Sequence, residues 1–376
     1  MILFEYFYLR PDALSVWADP DVRERLSWYY SVMKNEKPAK FIIARSLEIY
    51  LDPYDPEITE EELWRIHEKY RDTFRKIWVE IREGHVELEK QDSYPKHSFL
   101  DLKISLAKRL YSPCRLCARR CGAKRDMGQK GVCGVSGHCI VHSYFHHLGE
   151  EAPLVPSGTI FYGGCPLKCV YCQNWDISQV GIEDGAKITP FRLAEIQKEL
   201  RLGGARNINH VGGDPIPHIP FILESLKYLD VNVPQLWNSN MYMTREALTL
   251  IIDVIDIWLP DLKYGNNKCA EKYSLVKNYW EIVTRNIRIA HDNGDMIIRH
   301  LVLPGHINCC TEKILKWIAE NTPRALVNIM DQYRPEYLVR KYPERYPEIA
   351  RRIKKEELLE AYRLADELGI VFRPVS

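Results

Sequence analysis

From about residue 155 the sequence alternates short apolar runs with helical patterns, and this alternation restricts the fold more than any other feature. The apolar runs predict strands at Thr159–Tyr162, Asn207–Val211, Gln235–Trp237, Ile255–Leu259, Met296–Val302 and Leu326–Met330. Helical periodicity follows them at Arg192–Leu202, Ile219–Leu229, Arg245–Val254, Trp280–Asn293, Glu312–Glu320 and Glu356–Leu368. Six strand–helix units in succession predict an α/β fold with a parallel sheet, open or curled into a partial (β/α)6 barrel. In such sheets function gathers where the strands end. Those ends read Gly163-Gly164-Cys165, Gly212-Gly213-Asp214-Pro215, Asn238-Ser239-Asn240, Asp261-Leu262-Lys263, Pro304-Gly305-His306 and Asp331-Gln332-Tyr333, so glycines and polar groups line one rim.

The rest of the chain divides by texture. Residues 1–105 read as a helical N-terminal extension without a chemical signature. Its clearest helix starts at Thr59, with Glu62 three residues on as a capping box. Leu63, Ile66, Tyr70, Phe74, Ile77, Trp78 and Ile81 repeat at helical spacing, and Gly84 is a natural stop. Residues 106–150 form a cysteine-rich, metal-binding segment, and 151–376 the strand–helix core with a C-terminal helical region. Met1–Leu9 is apolar, but Glu5 interrupts it and no cationic region precedes it, so it does not read as a signal peptide.

Eleven cysteines are many for such a chain, and seven fall in two tight clusters. In a reducing compartment clustered cysteines argue for metal rather than disulfides. Cys165, Cys169 and Cys172 follow the first strand directly, with spacing Cys-x3-Cys-x2-Cys. Three thiolates on one loop can hold three irons of a cubane cluster, and no fourth thiolate on the loop blocks the remaining iron. Zinc fits poorly, because it wants four ligands, commonly in pairs.

This loop, with aromatic Tyr171 before its third cysteine, resembles the signature of the radical SAM superfamily. The wider stretch from Gly164 to Asn174 is similar to uncharacterised iron–sulfur proteins related to pyruvate formate-lyase activating enzymes. The likeness covers roughly residues 110–335. It implies a [4Fe–4S] cluster on Cys165, Cys169 and Cys172 whose open iron chelates S-adenosylmethionine (SAM). It implies reductive cleavage of SAM to a 5′-deoxyadenosyl radical that takes a hydrogen from a substrate, and it extends to an activase-like reaction on a protein glycine. An electron donor such as flavodoxin or ferredoxin is then required.

The same resemblance assigns SAM contacts along the rim. Tyr171 belongs to the signature loop. Gly212, Gly213 and Asp214 are similar to the family's Gly-Gly-Glu-Pro element, with an aspartate one methylene shorter. Asn238 and Asn240 stand where activating enzymes carry Asp-Thr-Asn, so one carboxylate is an amide here. Asp261 and Lys263 match Asp-Leu-Lys, the lysine suiting the SAM carboxylate. Arg299 and His300 are neighbours on the fifth strand, so one of them faces inward and the other outward; Arg299 is the candidate contact. Asp331, Gln332, Tyr333 and Arg334 are substrate-site candidates.

Cys114, Cys117, Cys121 and Cys133 supply four further thiolates, a closed set for zinc or for a fully ligated [4Fe–4S] cluster, with a slight preference for structural zinc. Arg115, Arg119, Arg120, Lys124, Arg125 and Lys130 would offset their charge. Cys139, His142, His146 and His147 lie just downstream as spare donors. Cys309 and Cys310 read either as a buried pair opening the helix at Thr311 or as a substrate-facing thiol, even a methyl carrier, and Cys269 reads as unremarkable.

The 52 Lys and Arg against 51 Asp and Glu give no case for nucleic acid or a membrane surface. No run of about 18 apolar residues is present, so no membrane span is expected and the default is a cytoplasmic protein. Two other classes compete with the enzyme. One is a non-catalytic iron–sulfur protein for electron transfer or sensing, which would bind no SAM. The other is a zinc-stapled binding module, whose basic stretches would meet an acidic partner.

Overall fold

The structure is a computed structural model and describes residues 8–88 and 93–376. Most of the apolar stretch Met1–Leu9 lies outside the described residues. Eight strands form one sheet: β1 (Cys139–His147), β2 (Ser157–Tyr162), β3 (Ala186–Ile188), β4 (Asn207–Gly212), β5 (Gln235–Ser239), β6 (Ile257–Pro260), β7 (Asp295–Leu301) and β8 (Leu326–Met330). Their order is β3-β1-β2-β4-β5-β6-β7-β8. From β2 to β8 the six core strands are parallel. Each link after β2 carries a helix, as the alternation predicts: Pro190–Leu202, Ile219–Ser225, Arg245–Ile251, Tyr279–His291 and Glu312–Asn321. This is the expected partial (β/α)6 barrel. β1 and β3, which the sequence reading did not find, extend it by antiparallel pairing.

The parallel strands are buried along nearly their whole length, which explains their continuous apolar runs. β1 differs. Its inner end is buried and its outer half is half-buried or exposed.

The N-terminal helices close the opposite end of the barrel. Thr59 caps the helix Glu60–Glu83 through a reciprocal box with Glu62, and Gly84 ends it with φ at +81°. Leu63, Phe74, Trp78 and Ile81 are buried, and Ile66, Tyr70 and Ile77 pack beside them. Two carboxylates at strand starts anchor this layer. Asp256 accepts from the Trp28 indole at 2.8 Å and the Lys40 amide at 3.0 Å, and Asp295 accepts from the Tyr29 amide at 2.8 Å. The helix Phe99–Tyr111 packs on Glu60–Glu83 and on two barrel helices, then delivers the chain to Cys114. No helix among the described residues is long and apolar enough to cross a membrane.

Candidate functional site

Six strand ends meet around a cavity of about 250 Å³. Cys165, Cys169, Tyr171 and Cys172 line it from the loop after β2, and Gly212, Gly213 and Asp214 from the loop after β4. Asn238, Ser239 and Asn240 enter from β5, Asp261 and Lys263 from β6, Arg299 from β7 and Gln332 from beyond β8. Every residue expected to contact the cluster or SAM therefore reaches one space. Cys309 and Cys310 are not part of its lining.

The cysteine loop is held by its backbone. The amides of Lys168 and Val170 donate to the carbonyls of Ser274 and Tyr273 at 3.0 and 2.8 Å. Leu338 and Val339 donate in turn to the Val170 carbonyl, and Trp175 stacks on Tyr337 with centroids 5.3 Å apart. Each thiol has a polar side chain beside it: Ser274 Oγ at 3.0 Å from Cys169, Ser178 Oγ at 3.3 Å from Cys172, and the Asn240 amide donating to Cys165 at 3.5 Å. Burial pushes the Cys169 thiol up to about 11 and the Cys165 thiol far above its usual range. At neutral pH they become thiolates only with a metal bound.

The two glycine elements touch. A Cβ on Gly213 would lie 2.2 Å from the Gly164 carbonyl oxygen, and one on Gly164, at φ +80°, would lie 2.7 Å from the Cys133 carbonyl oxygen. Only glycine allows the three loops to approach this closely.

The polar groups fall into two kinds. Some are satisfied by the protein. The Asp214 carboxylate accepts from Ser239 Oγ at 3.1 Å and from the amides of Asn240 and Ile216 at 3.0 Å each. It ties the β4 and β5 loops together, and burial pushes it up to about 7. Arg299 faces the cavity, while His300 points away and lies between the Leu262 carbonyl (2.9 Å) and Thr311 Oγ (3.0 Å). The Arg299 guanidinium donates to both Glu151 carboxylate oxygens at 2.7 Å and also meets Glu150. Asn328 donates to Glu151 at 2.7 Å and Asn209 to Glu150 at 2.9 Å, completing a buried network. Sequence reasoning missed Glu150 and Glu151, because nothing local marks two acids that precede a strand.

Other groups are left for a ligand. The Asn238 side-chain amide nitrogen is buried, has no partner among the described residues and belongs to the cavity wall. Such a donor is costly unless something polar occupies the space beside it. Lys263 lies 2.7 Å from Asp261, and despite the opposing effect of burial this carboxylate holds the ammonium firmly protonated. An orphaned amide, a half-buried ammonium and three converging thiols fit an iron–sulfur cluster carrying a polar, zwitterionic ligand. Tyr171 contributes a wall: its hydroxyl pairs with Tyr264 at 2.7 Å and its ring meets Tyr333 edge-on at 5.5 Å.

The second cysteine set lies directly behind this loop. Cys114, Cys117 and Cys133 are buried and Cys121 half-buried. Of the basic residues expected to neutralise them, Arg125 reaches the thiols. It is 2% exposed, its Nη2 donates to Cys133 Sγ at 3.0 Å, and it lies over the Tyr111 ring. Arg115, Arg120 and Lys130 pair instead with Glu60, Glu246 and Glu183. A guanidinium is always charged, and among the described residues no carboxylate contacts this one. The nearby spare donors are otherwise engaged: His142 Nε2 lies 3.2 Å from the Ile182 carbonyl and His146 Nε2 3.0 Å from that of Leu200.

Residues 159–318 match the model of the Radical SAM superfamily. The chain is 42% identical to the uncharacterized protein MJ0674 of Methanocaldococcus jannaschii over 351 residues, 92% of this chain and 98% of that one. Among solved structures it is similar to a domain of pyruvate-formate lyase-activating enzyme from Bacteroides vulgatus (16% identity, 44% of this chain and 96% of that chain, TM-score 0.36). It is also similar to SuiB of Streptococcus suis bound to precursor peptide SuiA (13% identity, 55% and 46%, TM-score 0.37). The chain belongs to the radical SAM superfamily.

Proposed function

We propose that this protein is an enzyme that binds a [4Fe–4S] cluster through Cys165, Cys169 and Cys172 and holds SAM in the adjoining cavity for hydrogen abstraction. The observation that carries the reading is the cavity wall itself: three thiols, the unpartnered Asn238 amide and the Lys263 ammonium face one space. When bound, the cluster and SAM supply a one-electron cleavage that yields a carbon radical. The protein's own groups do the rest. Lys263, oriented by Asp261, offers a cation to a carboxylate. Asn238 donates a hydrogen bond, and Gly212 and Gly213 bring backbone close to the ligand. Asp214 acts as a positioning residue, and Glu150 and Glu151 fix the Arg299 guanidinium at the cavity's edge. The amides of Leu338 and Val339 on the Val170 carbonyl and the Trp175–Tyr337 stack hold the cysteine loop in place.

The Cys114, Cys117, Cys121 and Cys133 set holds a second metal centre. The buried Arg125 supports this, and the direct contact between Cys133 and the first loop favours iron–sulfur over the zinc preferred from sequence. An auxiliary cluster there would pass electrons from a flavodoxin- or ferredoxin-like donor. For the substrate, the resemblance to activating enzymes supports a protein glycine.

The test is anaerobic reconstitution with iron and sulfide, reduction with dithionite, and addition of SAM. 5′-Deoxyadenosine is expected from the native chain and not from Cys169→Ala. A fully loaded protein that binds no SAM and yields no 5′-deoxyadenosine would instead identify an electron-transfer protein.

A further inference from the structure

A third group of thiols lies outside the cavity and outside both cysteine clusters. Cys269, a ring nitrogen of His306 and Cys309 bring their ligand atoms within 4.8 Å of one another. Cys310 Sγ lies 3.9 Å from Cys309 Sγ, close to the roughly 3.8 Å edge of a tetrahedron with 2.3 Å metal–sulfur bonds. From the geometry of this group we infer a binding site for one thiophilic divalent ion of the zinc class, with Cys269, His306 and Cys309 as ligands and Cys310 as the nearest donor for the fourth position.

Neighbouring groups hold the site together, and Asn266 does so while capping the helix Asn267–Ser274. Asn266 joins its two halves: its side-chain oxygen accepts from the Cys269 amide at 2.8 Å, and its nitrogen donates to the Cys309 carbonyl at 2.9 Å. Gly265 makes the approach possible, since a Cβ there would lie 2.7 Å from the Cys310 carbonyl oxygen. His306 is oriented at both nitrogens. Nδ1 lies 2.7 Å from the Pro304 carbonyl and Nε2 3.1 Å from the Tyr273 hydroxyl, so whichever nitrogen binds metal, the other is held. Two soft sulfurs and an imidazole select zinc or its neighbours over magnesium or calcium. On binding, the thiol protons leave to solvent.

Its position gives the ion a use. Cys269 stands in the first turn of the helix Asn267–Ser274, and Ser274, at the other end, lies beside Cys169 and accepts the Lys168 amide. Five residues of helix span about 7.5 Å. A metal at Cys269 would therefore brace, from its far end, the helix on which the radical-cluster loop rests.

The full chain, reconstituted with iron and sulfide and freed of zinc, would be titrated anaerobically with cobalt(II). One equivalent should bind with the charge-transfer and intense d–d absorption of a tetrahedral thiolate site. The double variant Cys269→Ser/Cys309→Ser should lose that equivalent and keep its iron. In case that variant folds poorly, native protein isolated with zinc would be alkylated with and without chelator, and Cys269 and Cys309 should react only after chelation. Equal alkylation in both conditions, undiminished cobalt binding by the folded variant, or a disulfide joining Cys269 to Cys309 or Cys310 would overturn the inference.

Discussion

The backbone amide of Cys165 donates a hydrogen bond to the carbonyl of Cys133 at 3.2 Å. One residue belongs to the three-cysteine loop and the other to the four-cysteine set, so the two are separated by a single peptide contact. If both sets hold [4Fe–4S] clusters, the native chain carries about eight irons and a Cys117→Ala/Cys121→Ala variant about four. That variant should still cleave SAM with dithionite but lose most of its turnover with a protein donor. Iron analysis and paired assays measure both. Zinc in place of the missing iron would return the set to a structural role.

Arg125 is expected to be the most sensitive residue of the second set. Arg125→Leu leaves an anionic metal centre without its buried counter-charge, which should cost on the order of 3 kcal/mol. A fall in melting temperature together with weaker metal retention is expected. Arg125→Lys should recover only part of it, because an ammonium cannot reach two thiols with a planar fork.

Asn238→Ala removes a buried donor that no protein group uses. Stability should change little or improve, while SAM affinity falls about tenfold, the value of one hydrogen bond to a charged ligand. Equilibrium dialysis with SAM and a thermal melt separate the two effects. A loss of stability without a loss of affinity would assign Asn238 to packing.

Asp295 should set a pH limb of stability. Burial pushes it up to about 7, so the folded chain keeps a proton that the unfolded chain releases at about 4. The folded state then binds more protons across this window, and stability falls as pH rises through it. Asp295→Asn, which can still accept from the Tyr29 amide, should flatten that limb by on the order of 3 kcal/mol. Denaturant melts of both proteins between pH 4 and 7 give the difference.

Much of this was legible in the sequence, for particular reasons. The six parallel strands showed because burial on both faces leaves continuous apolar runs, and Thr59 marked a helix start because a cap is a local hydrogen bond. β1 was hidden. Half of it faces outward, and its Cys139, His142, His146 and His147 suggested a metal loop more than a strand. Cys269 looked unremarkable because its partners lie some forty positions on, and Arg299 showed no sign of Glu150 and Glu151, separated from it by 149 and 148 residues. Periodicity also identified the buried face of Glu60–Glu83 without revealing that Phe99, at the start of the helix Phe99–Tyr111, packs on it against Tyr70 and Phe74.

The C-terminal contacts on the cysteine loop bear on how the holoprotein is made. Leu338 and Val339 clasp the Val170 carbonyl, while Cys165, Cys169 and Cys172 still line the cavity. Iron that arrives after folding therefore meets a loop already shaped by protein contacts, and enters by the cavity that these thiols line. Metal delivery then need not precede folding, and the apo chain is a competent acceptor.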